Sequence, residues 1–516
     1  MPSTRVNHFA SGRDGIVATV DPLASEAGAA VLRRGGTAVD AAIAANAVLS
    51  VTAPHLCGLG GDLFALVSKP GEAPIALNAS GRSGSGADPD ALRANGHRTM
   101  PLSELAAVTV PGCVDGWIAL HRRGGTLPLA ELFGDAIRHA TDGFTPSPLL
   151  VLGAARVTGR PGTSDLDDAA AGRPVRRPGI AATLRAIGEN GRAGLYRGAF
   201  GAGLLGLGGG LFRESDLDEI NADWVEPVRR DAFGHTVWTT PANTQGYVAA
   251  LALGIADRIG VSDLDGAEWA HTLIEASRLA GVDRPKLLHE GADVAALLTD
   301  AEVDKRAARF DPNGRADLTD TVAPGGTTYL CVVDGSGTGV SLIQSNAAGF
   351  GSGIFEPATG IGLHNRGLGF SLEPGHPAEF GPRRRPPHTL MPMIVTRPDG
   401  TLRTVAGTMG GDTQPQIMTQ LLTRLLHNDQ SATEVVSAPR WRIGNTNGFD
   451  TWSDQAAPVE LESDAPYGWD DLAARGHRVT RVPVPFGHAQ LIDVDADGTA
   501  HGAADPRAVV ATTIAV

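Results

Sequence analysis

Thr327 follows Gly325-Gly326 and opens a run of β-branched, aromatic and apolar residues, Thr328-Tyr-Leu-Cys-Val-Val333, that predicts a β-strand. Asp334-Gly335-Ser336-Gly337-Thr338 reads as a hairpin loop and Val340 to Ser345 as the returning strand. A hairpin centred on Ser336 sets Thr327 opposite Ser345. Directly opposed Cβ atoms lie roughly 4.5–5.5 Å apart, within reach of a hydroxyl-to-hydroxyl contact. A threonine hydroxyl inside a chain is a poor nucleophile, but at a new N-terminus it carries its own base, the free α-amine. That amine has an unperturbed pKa of about 7.7–8.0, near the pH at which a general base works best. Gly-Gly before the threonine gives the backbone freedom to strain the bond that must break. The expectation is self-cleavage between Gly326 and Thr327, leaving chains 1–326 and 327–516. An ordinary glycine-rich turn entering a strand has the same local pattern.

Further elements must position such a group. Thr401 to Ala406 predicts a strand, Gly407-Thr-Met-Gly410-Gly411 breaks it, and a helix follows from about Gln414 to Leu426. Strand, glycines, helix is the arrangement that aims backbone N–H groups at an anion. Gly410 and Gly411 are therefore candidate oxyanion donors, with a plain strand-to-helix turn as the alternative. Arg383-Arg384-Arg385 reads either as a solvated loop or as a cation near a substrate carboxylate. Arg82 reads as a surface arginine or a substrate anchor, and His388-Thr389 as a polar pair in the pocket or the start of a strand running to Thr396. Gly201-Ala-Gly203-Leu-Leu-Gly206 matches a dinucleotide fingerprint, but no clean strand precedes it and no βαβ unit follows. HExxH, GxSxG, GxxxxGK[ST] and CxxC patterns do not occur.

The chain has 516 residues, 42% of them hydrophobic, enough for a sizeable core. A net charge of −14 argues against nucleic acid or an anionic membrane as partner. Cys57, Cys113 and Cys331 form neither a disulfide framework nor a zinc pattern, which fits a reducing compartment. Residues 1–20 show no signal-peptide core and no stretch approaches 18 apolar residues, so the expected location is the cytoplasm, with no membrane partner. Strands are expected at 15–20, 63–68, 74–78, 237–240, 490–494 and 509–513. Helices are expected at 23–34, 37–51 (opened by a Thr37/Asp40 capping box), 128–143, 247–259 and 266–283, and one each within 432–446 and 466–476. A helix is also expected after Trp117, and residues 296–326 read as a polar connection.

Taken in order, several segments resemble the γ-glutamyltranspeptidase family. They are Leu59-Gly-Gly61, Pro111-Gly112-x-x-x-Gly116, Gly-Gly-Thr327-Thr-Tyr-x-x-Val-Val-Asp, Phe350-Gly-Ser-Gly353, Arg385-Pro386, Gly410-Gly411 and Ala504-Asp-Pro-Arg507. The resemblance implies an α/β, N-terminal-nucleophile hydrolase fold: an αββα sandwich of two packed central β-sheets flanked by helices, with 1–326 and 327–516 as subunits of one unit. It implies Thr327 as nucleophile, Ser345 as the hydroxyl that orients it, and Gly410 and Gly411 at the oxyanion hole, with no metal and no organic cofactor.

The departures bear on substrate. Tyr329 stands where the typical transpeptidase has His. The family's Asn two residues past the orienting hydroxyl is Ala347, with Asn346 one place earlier. The segment that grips the γ-glutamyl α-amino group reads Asn365-Arg366-Gly-Leu-Gly369 and lacks its acid. The paired serines that hold the α-carboxylate read His388-Thr389, and the anchoring arginine is displaced to Arg82. The set is closer to the glutathione hydrolase-like and oxamate amidohydrolase branch. The implied substrate is a small anionic amide or γ-glutamyl compound, contacted by Arg82, Asn346, Arg366, His388 and Thr389. The short stretch between Pro374 and Arg383 favours hydrolysis over transfer. A true γ-glutamyltransferase and a non-catalytic metabolite binder are the alternatives, and a homo-oligomer is compatible with either.

Overall fold

The structure, a computed structural model, describes residues 6–262, 264–316, 318, 326–444 and 457–516. Gly325, residues 445 and 446 of the stretch 432–446, and most of the connection between 316 and 326 lie outside the described residues.

Two seven-stranded antiparallel sheets face each other. The first runs in the order Thr512–Ala515, Gly15–Thr19, Gly326–Asp334, Gly339–Ala347, Asp62–Ser68, Ile75–Ala79, Asp223–Val225. The second runs Phe9–Gly12, Ala500–Ala504, Ala489–Val494, Leu402–Thr408, Met393–Thr396, His235–Thr239, Val228–Ala232. Alternation of side chains along each strand divides the cores. Tyr329, Cys331, Ile343, Phe64, Ile394 and Ile492 fill the layer between the sheets. Leu330, Val332, Leu342 and Leu63 face outward onto the helices Pro22–Arg33 and Ala38–Thr52. Met393, Val395 and Leu491 pack under Gly246–Ile259 and Gln414–Leu426. The result is the αββα sandwich. Its helices follow local rules: Thr37 caps the Ala38–Thr52 helix by accepting from the Asp40 N–H while Asp40 accepts from the Thr37 N–H at 3.0 Å. The alanine-rich helix is buried along its whole length against the first sheet.

The strand expected at 388–396 shortens to Met393–Thr396. The His388 N–H donates to the Asn243 carbonyl (2.7 Å) and the His388 carbonyl accepts from the Gln245 N–H (3.1 Å), which draws residues 388–392 out of the ladder. The helix expected within 432–446 is Ala432–Ser437, which ends ahead of Pro439, and Trp441–Ile443 is a strand. The 128–143 helix breaks at Phe133, and the helix placed after Trp117 begins at Cys113. Strands Phe9–Gly12, Val228–Ala232 and Ala500–Ala504, and the helix Asp300–Ala307, were not expected. The GxGxxG run lies within the helix Ala199–Leu207, where Gly201 packs on the Tyr196 carbonyl. Among the described residues no helix is long and apolar enough to cross a membrane.

Candidate active site

The two central strands of the first sheet hold the register read from the hairpin: Thr328 pairs with Gln344 and Tyr329 with Ile343. Between Gly326 and Thr328 the register shifts, so Gly326 pairs with Ala347. Thr327 and Ser345 share the parity of Tyr329 and Ile343, so both side chains enter the layer between the sheets. Both are buried, and Thr327 Oγ1 donates to Ser345 Oγ at 3.3 Å. Ser345 Oγ also accepts from the Ala347 N–H at 2.8 Å. Ala347 sits at φ 74° to make that bond, a left-handed conformation an alanine rarely takes. Gly61 lets the neighbouring strand approach: a Cβ there would lie 2.4 Å from the Ser345 carbonyl oxygen.

The turn at Gly410-Gly411 comes alongside through Gln414. With the Gln414 carboxamide nitrogen donating to the carbonyls of Thr408 (3.2 Å) and Thr389 (3.1 Å), its oxygen faces Thr327 Oγ1 at 3.4 Å. The Gly410 carbonyl accepts from Thr413 N (3.1 Å) and Thr413 Oγ1 (2.6 Å). In a trans peptide the next N–H points the other way, so the Gly411 N–H is directed away from the following helix. The Gly411 carbonyl is in turn fixed by Gln245 Nε2 at 2.8 Å. Gly410 (φ 145°) and Gly411 (φ 60°) both adopt conformations suited to glycine.

Arg366 supplies the charge. It is buried, donating Nη1 to Thr389 Oγ1 (3.1 Å) and Nη2 to Ser345 Oγ (3.4 Å), while its Nε has no hydrogen-bond partner among the described residues. Burial lowers its pKa to about 10, so it remains a cation at neutral pH. It lines a cavity of 320 Å³ together with Thr389, Arg284, Met100, Leu368 and Phe370. A buried guanidinium N–H without a protein acceptor, next to an open cavity, is an anion-binding feature. Arg98 and Arg284 are further arginines of the wall, and Arg284 pairs with Asp412 at 2.8 Å.

The other candidates sort by geometry. Thr389 joins the site. Asn346 does not: one residue past Ser345, it points to the opposite face, and its Nδ2 donates to the Pro54 carbonyl at 3.0 Å. Arg82 stands apart, held by Glu219 and Glu290 (both 3.2 Å) and facing Asp223 at 3.8 Å. Arg385 is likewise tied to Asp223 (2.7 Å) and the Ser80 carbonyl (2.8 Å), and Arg383 to Asp216 (3.2 Å). His388 is buried, but both ring nitrogens are used: Nδ1 accepts from the Leu390 N–H (3.3 Å), so the proton is on Nε2, which donates to Asp62 Oδ2 (3.2 Å). Burial, reinforced by the Arg366 charge, lowers the His388 pKa to about 3, so the ring is neutral.

Asp62, Gln414 and the Arg284–Asp412 pair were not singled out in the sequence. Asp62 directly follows Leu59-Gly-Gly61, but its pairing with Ser345 joins strands far apart in the chain, which no local pattern reports. Gln414 had a weak signal, the Gly-Gly-Asp-x-Gln-Pro-Gln run.

The sequence profile described as Gamma-glutamyltranspeptidase matches residues 24–514. The chain is 36% identical to the oxamate amidohydrolase proenzyme of Klebsiella pneumoniae over 94% of its own length and 95% of the relative's. It is 33% identical to the glutathione hydrolase-like YwrD proenzyme of Bacillus subtilis, over 97% and 98%. Its fold superposes on the crystal structure of a cephalosporin acylase from Bacillus halodurans with a TM-score of 0.89 at 33% identity, over 100% of this chain and 98% of that one.

Proposed function

The chain belongs to the gamma-glutamyltranspeptidase family, and we propose that it is an amide hydrolase that severs its own backbone between Gly326 and Thr327 and then uses Thr327 as its nucleophile. The observation that carries this reading is the buried hydroxyl pair, Thr327 Oγ1 to Ser345 Oγ at 3.3 Å, at the start of the strand that cleavage would expose. Once cut, the Thr327 α-amine takes the hydroxyl proton as Oγ1 attacks the substrate carbonyl. The Gly410-Gly411 turn stabilises the resulting oxyanion; one such donor is typically worth about 2.7–4 kcal/mol. The amine returns the proton to the leaving nitrogen, the C–N bond breaks, and the acyl group stays on Thr327 as an ester. Water, deprotonated by the same amine, then attacks the ester; the acyl C–Oγ1 bond breaks, the amine returns the proton to Thr327 Oγ1, and the carboxylic acid is released.

The acyl group bears a carboxylate held by Arg366 and Thr389. Supporting this are the Arg366 and Thr389 side chains, bonded to each other at 3.1 Å in the cavity wall, and the relative named for oxamate, an amide that carries a carboxylate. The 374–383 segment is short and bonds back on itself through Ser371, Ala378 and Phe380, which favours water as acceptor.

The test pairs processing with turnover. Wild type should give two bands on a denaturing gel and release acid from oxamate-type or glutaryl amides, and Thr327→Ala should stay one inert band. Rapid transfer from γ-glutamyl anilide to amino acids, exceeding hydrolysis, would make it a transferase instead.

A further inference from the structure

Two carboxylates lie within charge range of the Arg366 guanidinium, Asp62 and Asp412, and both are engaged. Asp412 is paired with Arg284. Asp62 is wholly buried and directly opposes Ser345 across the strand ladder, two strand spacings (about 10 Å) from the nucleophile strand. Its Oδ1 accepts from the N–H groups of Gly81 (2.9 Å) and Gly112 (3.3 Å). Its Oδ2 accepts from His388 Nε2 at 3.2 Å and faces His364 Nδ1 at 3.7 Å. His388 lies between Pro387 and Thr389, which both line the cavity, yet its own ring turns inward, with its edge on Phe64 at 4.8 Å. With Nδ1 occupied by the Leu390 N–H, the ring acts as a lid on Asp62 and offers nothing to a ligand.

We propose that His388 sets specificity by capping Asp62: the site accepts acyl groups that carry a carboxylate and no ammonium, the monoamides of simple dicarboxylic acids, and rejects α-amino acyl groups. This deepens, and rests on, the reading of Thr327 as nucleophile and Arg366 as acyl anchor. A carboxylate is the side chain that would hold an α-ammonium. Here the carboxylate on this side of the pocket is sealed behind an imidazole, and the charge left facing that end of the acyl group is Arg366, of the same sign as the ammonium. The carboxylate that does line the cavity, Glu373, is exposed among Leu372 and His376.

Glutaryl and γ-glutamyl p-nitroanilides differ only in the α-ammonium and serve as the probes. Wild type should favour the glutaryl anilide. His388→Ala, which uncovers Asp62, should raise the γ-glutamyl-to-glutaryl ratio of kcat/KM by about tenfold or more, the effect of one charge-assisted hydrogen bond. His388→Gln, which can still donate to Asp62, should keep the wild-type ratio, and Asp62→Asn combined with His388→Ala should lose the gain. His388→Ser, too short to reach the carboxylate, repeats the test should His388→Ala fail to fold. The proposal is overturned by an unchanged ratio in both opened variants, by a gain that survives in the double variant, or by a wild type that prefers the γ-glutamyl anilide. A wild type that stays uncut and turns over neither anilide instead overturns the reading beneath it, and the proposal with it.

Discussion

Arg366 carries the electrostatics of the site, bonded to both Thr389 and Ser345. Arg366→Met should raise KM for a glutaryl anilide about ten- to hundredfold, the equivalent of one charged hydrogen bond, while a neutral butyryl anilide gains in relative terms. Arg366→Lys should recover little, because a single ammonium cannot serve Thr389 and Ser345 together. Equal losses on both anilides would mean the arginine only supports Ser345. Ala347, at φ 74°, should accept glycine without loss of stability, whereas Ala347→Val should cost on the order of 1–2 kcal/mol, measured by denaturant unfolding. What was legible at this scale was the local register: a hairpin centred on Ser336 already put Thr327 against Ser345. Asp62 and the inward turn of His388 were not legible, because they depend on pairings between segments hundreds of residues apart.

Strands and turns place these residues by close approach. A Cβ on Gly61 would meet the Ser345 carbonyl at 2.4 Å, a backbone atom that cannot swing aside. Gly61→Ala should therefore displace Ser345 and abolish processing, read as a persistent single band. Gly410 adopts φ 145°, and a Cβ there would lie 2.7 Å from Thr413 Oγ1. Gly410→Ala should lower kcat about 10²- to 10³-fold with a smaller change in KM, the signature of a lost oxyanion donor. Segments such as Asp62–Ser68 and Gln414–Leu426 were readable because each follows a Gly-Gly turn and carries enough apolar residues to be buried. The expected strand at 388–396 kept only its last four residues. His388 and its neighbours leave the ladder to wrap the site, a tertiary demand that overrides β-propensity.

At the scale of the molecule, segments from before and after residue 327 both contribute strands to each sheet, so cleavage would not separate two domains. The cut chains should co-purify and unfold in one transition, and separate melting of the two would contradict this arrangement. Burial holds His55, His388 and His477 neutral, with pKa values near 3, and His488 near 4. The unfolded chain, with histidines near 6.5, binds more protons between these values, so stability should fall as pH drops from about 6.5 to about 3. His388→Gln should make that loss shallower in unfolding midpoints taken across the range, and identical slopes would remove His388 from the account. The sandwich itself entered through family resemblance rather than through periodicity, since pairing order between distant strands leaves no local trace. The central claim is a new N-terminus, and sequencing the N-termini of purified active protein tests it most directly. A chain beginning Thr-Thr-Tyr-Leu is expected alongside the upstream chain. Full activity from protein that contains only the uncut chain would contradict it.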